Sequence, residues 1–252
     1  MRTYVVSGSA SGIGAATVER LEASGHRVIG VDLTGATVEA DLSTDAGRAA
    51  MVEGVRAASS GQVDAIVACA GISAESPQTI SVNYFGAVAT LEGLRPFLAG
   101  SDAPRAVVIS SVASIMGADE GVVDACLADD EATARERMAE NPSMAYLTSK
   151  TAIARWIRRN APTAAWAGAG IPLNAIAPGT VHTPMTAELL AADGGLEMVD
   201  SAVPMPLNGH AGPEQIAPLL EFLASADNTH VTGQVVFVDG GADAVLRGDA
   251  TW

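Results

Sequence analysis

The chain has 252 residues, of which 48% are hydrophobic, and its formal net charge at pH 7 is -15. This length is enough for one large α/β domain with a substantial core, so we expect a single domain over residues 1–252. The negative charge opposes association with nucleic acid and with anionic membrane surfaces, so neither is expected as a partner.

Short apolar runs alternate with helical patterns along the chain. The alternation predicts a Rossmann-type, doubly wound parallel sheet with helices on both faces. Ligands bind such sheets beyond the carboxyl ends of the strands, so residues just after each strand are the first candidates for function. The predicted strands are residues 3–7, 27–32, 64–69, 106–110, 173–176 and 235–239.

A glycine-rich turn follows the first strand and contains Gly8, Gly12 and Gly14, with Ser11 and Ile13 between the glycines. Glycines let the backbone turn tightly and approach a pyrophosphate, whose charge the free amides of the next helix can meet. The turn is therefore a candidate dinucleotide site. An ordinary strand-to-helix turn is the simpler alternative.

Asp32 ends the second strand, where a carboxylate can accept hydrogen bonds from an adenosine ribose. No arginine or lysine stands at Ser11 or Leu33 to receive a 2′-phosphate, so we expect NAD as the cofactor rather than NADP. Asp41 and Leu42 follow a third, short extended stretch, from which they can reach the adenine. A strand-end role for Asp32 and a turn-forming role for Asp41 remain as alternatives.

Residues 116–144 depart from the alternation of strands and helices. This segment carries eight acidic residues against only Arg135 and Arg137, with helical spacing around residues 128–139. We interpret it as an acidic helical insert that forms an exposed, solvated flap without chemistry.

Tyr146 and Lys150 are four residues apart, so on a helix their side chains lie on one face about one turn apart. A phenol transfers protons poorly at neutral pH until a nearby cation such as Lys150 favours its ionised form. Such a pair also arises by chance on exposed helices. Lys150, however, is the only lysine in a chain whose other basic side chains are all arginine. We therefore predict that Tyr146 and Lys150 transfer protons.

Residues 185–207 are predicted to form a loop that folds over a hydrophobic substrate. Flexible methionines adapt to apolar ligands of varied shape, although packing into the core would use the same residue types. The apolar residues of this substrate loop are Met185, Leu189, Leu190, Leu196, Met198, Val199, Met205 and Leu207.

The apolar run at residues 4–6 is too short for a signal peptide, and no apolar run is long enough to span a bilayer. The two cysteines, Cys69 and Cys126, lack the spacing of metal ligands, and the four histidines are widely scattered. We therefore expect a reduced, cytoplasmic protein without a metal.

The glycine spacing, together with later motifs, resembles the short-chain dehydrogenase/reductase family over almost the whole chain. Ser7 stands where that family usually has threonine, and Cys69 where it usually has asparagine; both family residues mainly tie strands and turns together. The later motifs are Ala70 with Gly71, Asn83 in the phrase SVNY, Ser110 with Ser111, the phrase YLTSK from Tyr146 to Lys150, Pro178 with Gly179 through Thr183, and Asp239 with Gly240 and Gly241.

The resemblance implies a role for each matching residue. Ser111 would hold the substrate oxygen, and Tyr146 would pass the proton. Lys150 would bind the nicotinamide ribose and lower the pKa of Tyr146, while Asn83 would order a water that links Lys150 to solvent. Ser110 is the alternative to Ser111 as the residue that holds the substrate oxygen, and the choice between them depends on the family pattern alone.

The resemblance also implies a set of cofactor contacts. Thr183 would hold the nicotinamide carboxamide, unless it only caps the helix that follows it. The implied contacts are Gly8, Ser11, Gly12, Ile13, Gly14, Asp32, Leu33, Asp41, Leu42, Ala70, Gly71, Tyr146, Lys150, Pro178, Gly179, Val181 and Thr183.

Several longer phrases resemble a bacterial subfamily of hydroxysteroid dehydrogenases and carbonyl reductases, among them residues 81–87, 107–114 and 239–245. This similarity implies an NAD-dependent oxidoreductase that interconverts a hydrophobic secondary alcohol and a ketone. A dehydrogenase for a terpenoid, aromatic or xenobiotic alcohol is one alternative. A dinucleotide-binding regulatory module without turnover is another, and the intact set of Asn83, Ser111, Tyr146 and Lys150 argues against it.

Tetramers of this family usually pair the helix that bears the tyrosine and lysine with its neighbour, here near residues 91–98. We expect the insert to cover that surface, and its charge to repel a symmetry mate, because a two-fold contact sets like patches together. The sequence therefore predicts a dimer through residues 213–224 and 235–239 rather than a tetramer.

Overall fold

The computed structural model describes residues 1–250, and in this part of the chain seven strands form one parallel sheet. Its strand order is β3-β2-β1-β4-β5-β6-β7, which confirms the predicted Rossmann-type doubly wound sheet. Positions 251 and 252 of the predicted domain lie outside the described residues. The strands are β1 (Thr3–Ser7), β2 (Arg27–Asp32), β3 (Val38–Glu39), β4 (Ala65–Ala68), β5 (Arg105–Ile109), β6 (Leu173–Pro178) and β7 (Val235–Val238).

Helices cover both faces of the sheet. Their bounds are α1 (Gly12–Ala23), α2 (Asp45–Ser59), α3 (Gln78–Ile80), α4 (Ala87–Leu94), α5 (Glu120–Leu127), α6 (Glu131–Met138), α7 (Ala145–Asn160), α8 (Pro184–Ala191), α9 (Gly195–Ala202), α10 (Pro213–Ala224) and α11 (Ala242–Arg247). Between α3 and α4 the chain makes a π-helical turn at Ser81–Gly86, and short 3-10 helices occupy Arg95–Gly100, Val112–Ile115, Pro142–Met144 and Ala167–Ala169.

Two apolar cores lie on opposite faces of the sheet because successive strand residues point to opposite sides. In β1, Val5 joins the larger core beneath α2, α4 and α7, whereas Tyr4 and Val6 join the smaller core beneath α1 and α10. Both faces of each central strand are thereby buried, which explains why these strands consist of continuous apolar runs in the sequence.

The acidic insert folds as α5 and α6, and its inner face belongs to the larger core. Val122, Val123, Cys126, Ala134 and Met138 are each at most 1% exposed. The expectation of a solvated flap is therefore wrong for this face, because these apolar residues recur at helical spacing between the acidic ones. α5 packs against α7, and Glu120 pairs with Arg155 across that contact.

Residues 185–207 were predicted as a loop, but the structure gives them two helices, α8 and α9. Met185, Leu189, Leu196, Met198 and Leu207 are 41–66% exposed, so core packing does not account for them. The segment leaves and returns at paired backbone positions, since Val181 forms a parallel bridge with Ala211. No helix among residues 1–250 combines the length and apolar character that a membrane crossing requires.

Candidate active site

A cleft opens at the carboxyl ends of the strands, where Gly8 follows β1 and Pro178 ends β6. The cleft brings together every predicted cofactor contact, from the glycine turn to Thr183, and it is also lined by Ser111. Asn83 lies behind its wall, because a Cβ on Gly71 would come 3.2 Å from Asn83 Oδ1. The arrangement agrees with the rule that such sheets bind ligands beyond the strand ends.

Two glycines of the turn, Gly8 and Gly14, have no room for a side chain. Gly8 has φ of +70°, and a Cβ there would lie 2.7 Å from the amide nitrogen of Ala70. A Cβ on Gly14 would collide with the carbonyl of Gly8. Ser11 precedes α1 without a side-chain hydrogen bond to the first turn, as far as the described residues extend. The turn therefore fits a pyrophosphate group at the helix N-terminus.

The Asp32 carboxylate is fixed by two backbone amides. Its Oδ2 accepts a hydrogen bond from Ala10 N at 2.9 Å, and its Oδ1 accepts one from Leu33 N at 2.7 Å. Among residues 1–250, Lys150 is the only basic residue that lines the cleft. A negative charge thus stands at the end of β2 without a basic neighbour in the cleft.

Asp41 has the turn-forming role that we considered as an alternative, and it also lines the cleft. Its Oδ1 accepts a hydrogen bond from Ser43 N at 2.9 Å. Hydrogen bonds from the Ser43 side chain and backbone lower the pKa of Asp41. The carboxylate is therefore ionised at neutral pH, while Leu42 beside it is buried in the cleft wall.

Tyr146 and Lys150 lie on α7 with their side chains together, as the four-residue spacing predicts. Lys150 Nζ is 5.6 Å from the centre of the Tyr146 ring and donates a hydrogen bond to Ile109 O at 3.1 Å. Burial lowers the pKa of Lys150 to about 8, and the neighbouring Cys69 opposes this shift. Burial also raises the pKa of Tyr146, against a hydrogen bond with the Ser111 hydroxyl. The lowering of the Tyr146 pKa by Lys150 therefore stays a prediction.

The two candidate serines have different partners. Ser110 Oγ donates a hydrogen bond to Lys150 O at 3.0 Å and so connects β5 to α7. Ser111 Oγ accepts a hydrogen bond from Ala113 N at 3.1 Å and interacts with the Tyr146 hydroxyl. The geometry therefore favours Ser111 as the residue beside a substrate oxygen, for a local reason that the sequence did not supply.

Asn83 stands in the π-helical turn and is almost fully bonded. Its Nδ2 donates to Ile72 O at 2.9 Å and to Ser149 Oγ at 3.0 Å, and its Oδ1 accepts from Ile72 N at 2.8 Å. A Cβ on Gly71 would lie 3.6 Å from Lys150 Nζ, so Asn83 and Lys150 both approach this glycine. A water-mediated link between them stays a prediction.

Thr183 precedes α8 and also lines the cleft, so its two predicted roles are compatible. Its backbone N donates to Thr186 Oγ1 at 3.1 Å. The cleft has further lining residues that were not predicted as cofactor or catalytic residues, most of them adjacent to predicted ones; Met185 among them belongs to the predicted substrate loop. They are Val31, Ala40, Cys69, Ile72, Gln78, Val82, Ile109, Pro184, Met185 and Thr186.

The chain matches two known protein families. Residues 2–124 match the family described as short chain dehydrogenase, and residues 131–243 match the family described as Enoyl-(Acyl carrier protein) reductase. The matched ranges include the glycine turn in the first case and Tyr146 with Lys150 in the second.

Individual relatives match over nearly their full length. The chain is 41% identical to the 3-alpha-hydroxysteroid dehydrogenase/carbonyl reductase of Comamonas testosteroni, over 98% of each protein. It is 32% identical to the cis-4-hydroxycyclohexanecarboxylate dehydrogenase of Sinomonas cyclohexanicum, over 97% of each. Its fold matches the crystal structure of the 3-alpha-hydroxysteroid dehydrogenase from Pseudomonas sp. B-0831 complexed with NADH, with a TM-score of 0.92 and 40% identity over 98% and 99% of the two chains.

Proposed function

Because the chain belongs to the short-chain dehydrogenase/reductase family of oxidoreductases, we propose that it is an NAD-dependent enzyme that interconverts a hydrophobic secondary alcohol and a ketone. The observation that carries this proposal is the convergence of Ser111, Tyr146 and Lys150 in the cleft that also contains the glycine turn. A site for a dinucleotide and a proton-transferring pair thus share one cavity.

In this mechanism the substrate oxygen lies between the Ser111 and Tyr146 hydroxyls. A bound nicotinamide cofactor supplies the hydride in the direction of reduction. Ser111 holds the carbonyl oxygen, and Tyr146 gives its proton to that oxygen. Lys150, whose Nζ is anchored at Ile109 O, binds the ribose and favours the ionised phenol that remains. Asn83 orders the water through which the proton is replaced.

The apolar side chains of α8 and α9 support a hydrophobic substrate. Met185 lines the cleft and is 41% exposed, and Leu189, Leu196 and Met198 are exposed apolar side chains of the same two helices. Two relatives are named for a hydroxysteroid and a hydroxycyclohexanecarboxylate. We therefore propose a cyclic secondary alcohol, steroid-like or smaller, and keep terpenoid, aromatic and xenobiotic alcohols as the alternative.

A panel of alcohols, followed by NADH fluorescence, tests this function. We expect 3α-hydroxysteroids and substituted cyclohexanols to reduce NAD, and straight-chain primary alcohols to be poor substrates because they bury less apolar surface. If the protein binds NADH but no alcohol or ketone in the panel gives turnover, a dinucleotide-binding regulatory module is the better description.

We expect the affinity for NADH to fall as the pH rises above about 8, the pKa of buried Lys150 in the free protein. Below that pH the ammonium is present and attracts the anionic cofactor; above it, each pH unit leaves about tenfold less of the charged form. Burial raises the pKa of neighbouring Cys69 to about 12, so that thiol does not titrate in this range.

Fluorescence titration with NADH between pH 6.5 and 9.5 measures this effect. Lys150→Met is the matched variant, because it keeps the side-chain length and removes the titrating charge. It should bind NADH more weakly at pH 7 and show a flat profile. A flat profile for the unmodified protein would contradict the assignment of Lys150 to the cofactor.

We also propose a dimer in which α10, α11 and β7 form the interface. Phe222 of α10 and Val245 and Leu246 of α11 are 41–56% exposed, and β7 is an edge strand. Helix α5 of the insert packs against α7 and pairs Glu120 with Arg155, which leaves less of that helix for a partner.

Light scattering should therefore give twice the chain mass of 25.5 kDa. Phe222→Glu should shift the protein toward the monomer, because it places a charge within the proposed apolar contact. A stable tetramer that pairs through α7 would overturn this view of the insert.

We finally propose that the chain works as one catalytic domain in the cytoplasm and needs no metal. The metal-free part of the proposal is supported by the mechanism above, in which a nicotinamide cofactor would supply the hydride and Ser111, Tyr146, Lys150 and Asn83 hold the substrate oxygen or move the proton. Activity that is retained after dialysis against a chelator would support the absence of a metal. Activity that is lost on dialysis and restored by a divalent metal would contradict it.

A further inference from the structure

Arg48 of α2 lies where three parts of the chain meet, and only 9% of its surface is exposed. Its Nε donates a hydrogen bond to Leu42 O at 2.9 Å, and its Nη2 donates one to Ser81 O at 3.0 Å. Both guanidinium ends also bind Glu131, with Nη1 to Oε2 at 2.5 Å and Nη2 to Oε1 at 2.9 Å. The arginine therefore connects α2, the π-helical turn and the insert.

Two of these partners belong to the cleft wall or stand next to it. Leu42 lines the cleft at the end where the adenine is proposed to bind. Ser81 begins the π-helical turn that carries Val82, another lining residue, and Asn83. Leu42 and the turn pack closely, since a Cβ on Gly86 would lie 3.0 Å from the Leu42 carbonyl oxygen. Arg48 thus fixes the spacing between two walls of the cleft.

The charge of Arg48 is balanced mainly from the insert. The Glu131 side chain is 24% exposed, whereas the other acidic partner, Asp45, is 97% exposed and so is screened by water. Burial raises the pKa of Glu131, but hydrogen bonds from Arg48 and Ser81 and the charges of Arg48 and Arg135 outweigh it, so the net pKa is lowered. Arg135 Nη1 also donates to Ser81 Oγ at 2.5 Å, which brings a second basic residue of α6 onto the same turn.

On the basis of the proposed dinucleotide site, we infer that Arg48 and Glu131 are positioning residues for the cofactor. The insert then strengthens cofactor binding through Glu131. Loss of the Glu131 charge leaves a buried guanidinium without its main counter-charge, which is strongly unfavourable. Arg48, whose Nη1 already donates to Asp45 Oδ1 at 3.1 Å, then shifts further toward that exposed carboxylate and water, and it releases the carbonyls of Leu42 and Ser81. The adenine end of the cleft loses its fixed width, while Ser111, Tyr146 and Lys150 keep their places.

Glu131→Gln tests the inference, because it keeps the shape of the side chain and removes its charge. We expect the NADH Kd, measured by fluorescence well below the Tm, to rise roughly tenfold. The value of kcat at saturating NAD should stay within about twofold, since the reacting groups are not touched. Glu131→Asp, which keeps the charge, should restore much of the affinity.

Glu120→Gln is the matched control. Glu120 forms the same kind of bidentate pair, with Arg155 at 2.5 and 2.8 Å, and it also belongs to the insert. That pair is exposed and has no contact with Leu42 or Ser81, so its loss should leave the NADH Kd unchanged. An equal rise in Kd for both variants would mean that general loosening of the insert is the cause, and would overturn the inference.

The double variant Arg48→Met/Glu131→Leu tests whether the ion pair positions the cofactor or only stabilises the fold. Apolar pairs often replace a buried ion pair without loss of stability, so its Tm should recover relative to the Glu131→Gln variant. Its NADH affinity should stay low, because a thioether side chain has no donor for the carbonyls of Leu42 and Ser81. If both the Tm and the NADH affinity recovered, the ion pair would only stabilise the fold, and the inference would be wrong. If the unmodified protein itself failed to bind NADH, the proposed function would fall instead.

Discussion

Replacing Tyr146 with phenylalanine is expected to lower kcat by about 100-fold or more and to leave the NADH Kd nearly unchanged. The change removes the hydroxyl beside Ser111 but keeps the aromatic ring, against which Lys150 Nζ lies 5.6 Å from the ring centre. The packing of α7 and the place of Lys150 are therefore preserved. Only the proton that should pass to or from the substrate oxygen is lost.

Steady-state kinetics with the best alcohol of the panel, together with NADH titration, measure the two effects separately. Tyr4→Phe is the control, because Tyr4 is fully buried near the amino end of β1, at the opposite end of the strand from the glycine turn. It removes the same atom outside the cleft and should leave kcat unchanged. Near-normal turnover of the Tyr146→Phe variant would show that the proton moves by another route.

Catalytic efficiency with NAD is expected to exceed that with NADP by about 100-fold or more. The Asp32 carboxylate is fixed by Ala10 N and Leu33 N, so it cannot easily turn away from a 2′-phosphate. A carboxylate about 4 Å from a phosphate, at an effective dielectric near 20, opposes it by roughly 4 kcal/mol per charge before screening. About 1.4 kcal/mol corresponds to a factor of ten, so screening can remove part of this energy and still leave a large preference.

Measurement of kcat/KM with both cofactors tests the preference directly, and Asp32→Asn tests its cause. The variant should gain relative efficiency with NADP, because the amide removes the repulsion and can donate to a phosphate. Asp41→Asn is the comparison, since it removes a charge from the same cleft but at the position assigned to the adenine, and it should leave the ratio of the two efficiencies unchanged. Equal efficiency of the unmodified enzyme with NAD and NADP would refute the role of Asp32.

Features that depend on local patterns could be predicted from the sequence. The glycine turn, the strand end at Asp32 and the four-residue spacing of Tyr146 and Lys150 each belong to one short stretch of chain. Parallel strand ends meet at one edge of the sheet, so the assembly of these stretches into one cleft followed from the fold class.

Features that depend on long-range packing could not be predicted in this way. The many acidic residues of the insert predicted an exposed flap, and helical spacing alone did not show that the apolar positions of α5 and α6 pack into the core. The contact of Arg48 with Glu131 joins residues 83 positions apart. The π-helical turn around Asn83 likewise has no sequence signal of its own.

The paired backbone at the base of the α8–α9 segment has an evolutionary consequence. His182 N donates to Ala211 O at 2.8 Å and Ala211 N donates to Thr180 O at 3.1 Å, so the two ends of the segment, just after β6 and just before α10, lie side by side. Insertions, deletions and exchanges between these two positions leave the strand register intact, because excursions with adjacent ends tolerate changes of length. Beyond Thr183, the segment is therefore expected to vary in length and sequence among relatives, and the proposed substrate preference with it, while Ser111 after β5 and Tyr146 and Lys150 on α7 keep their geometry.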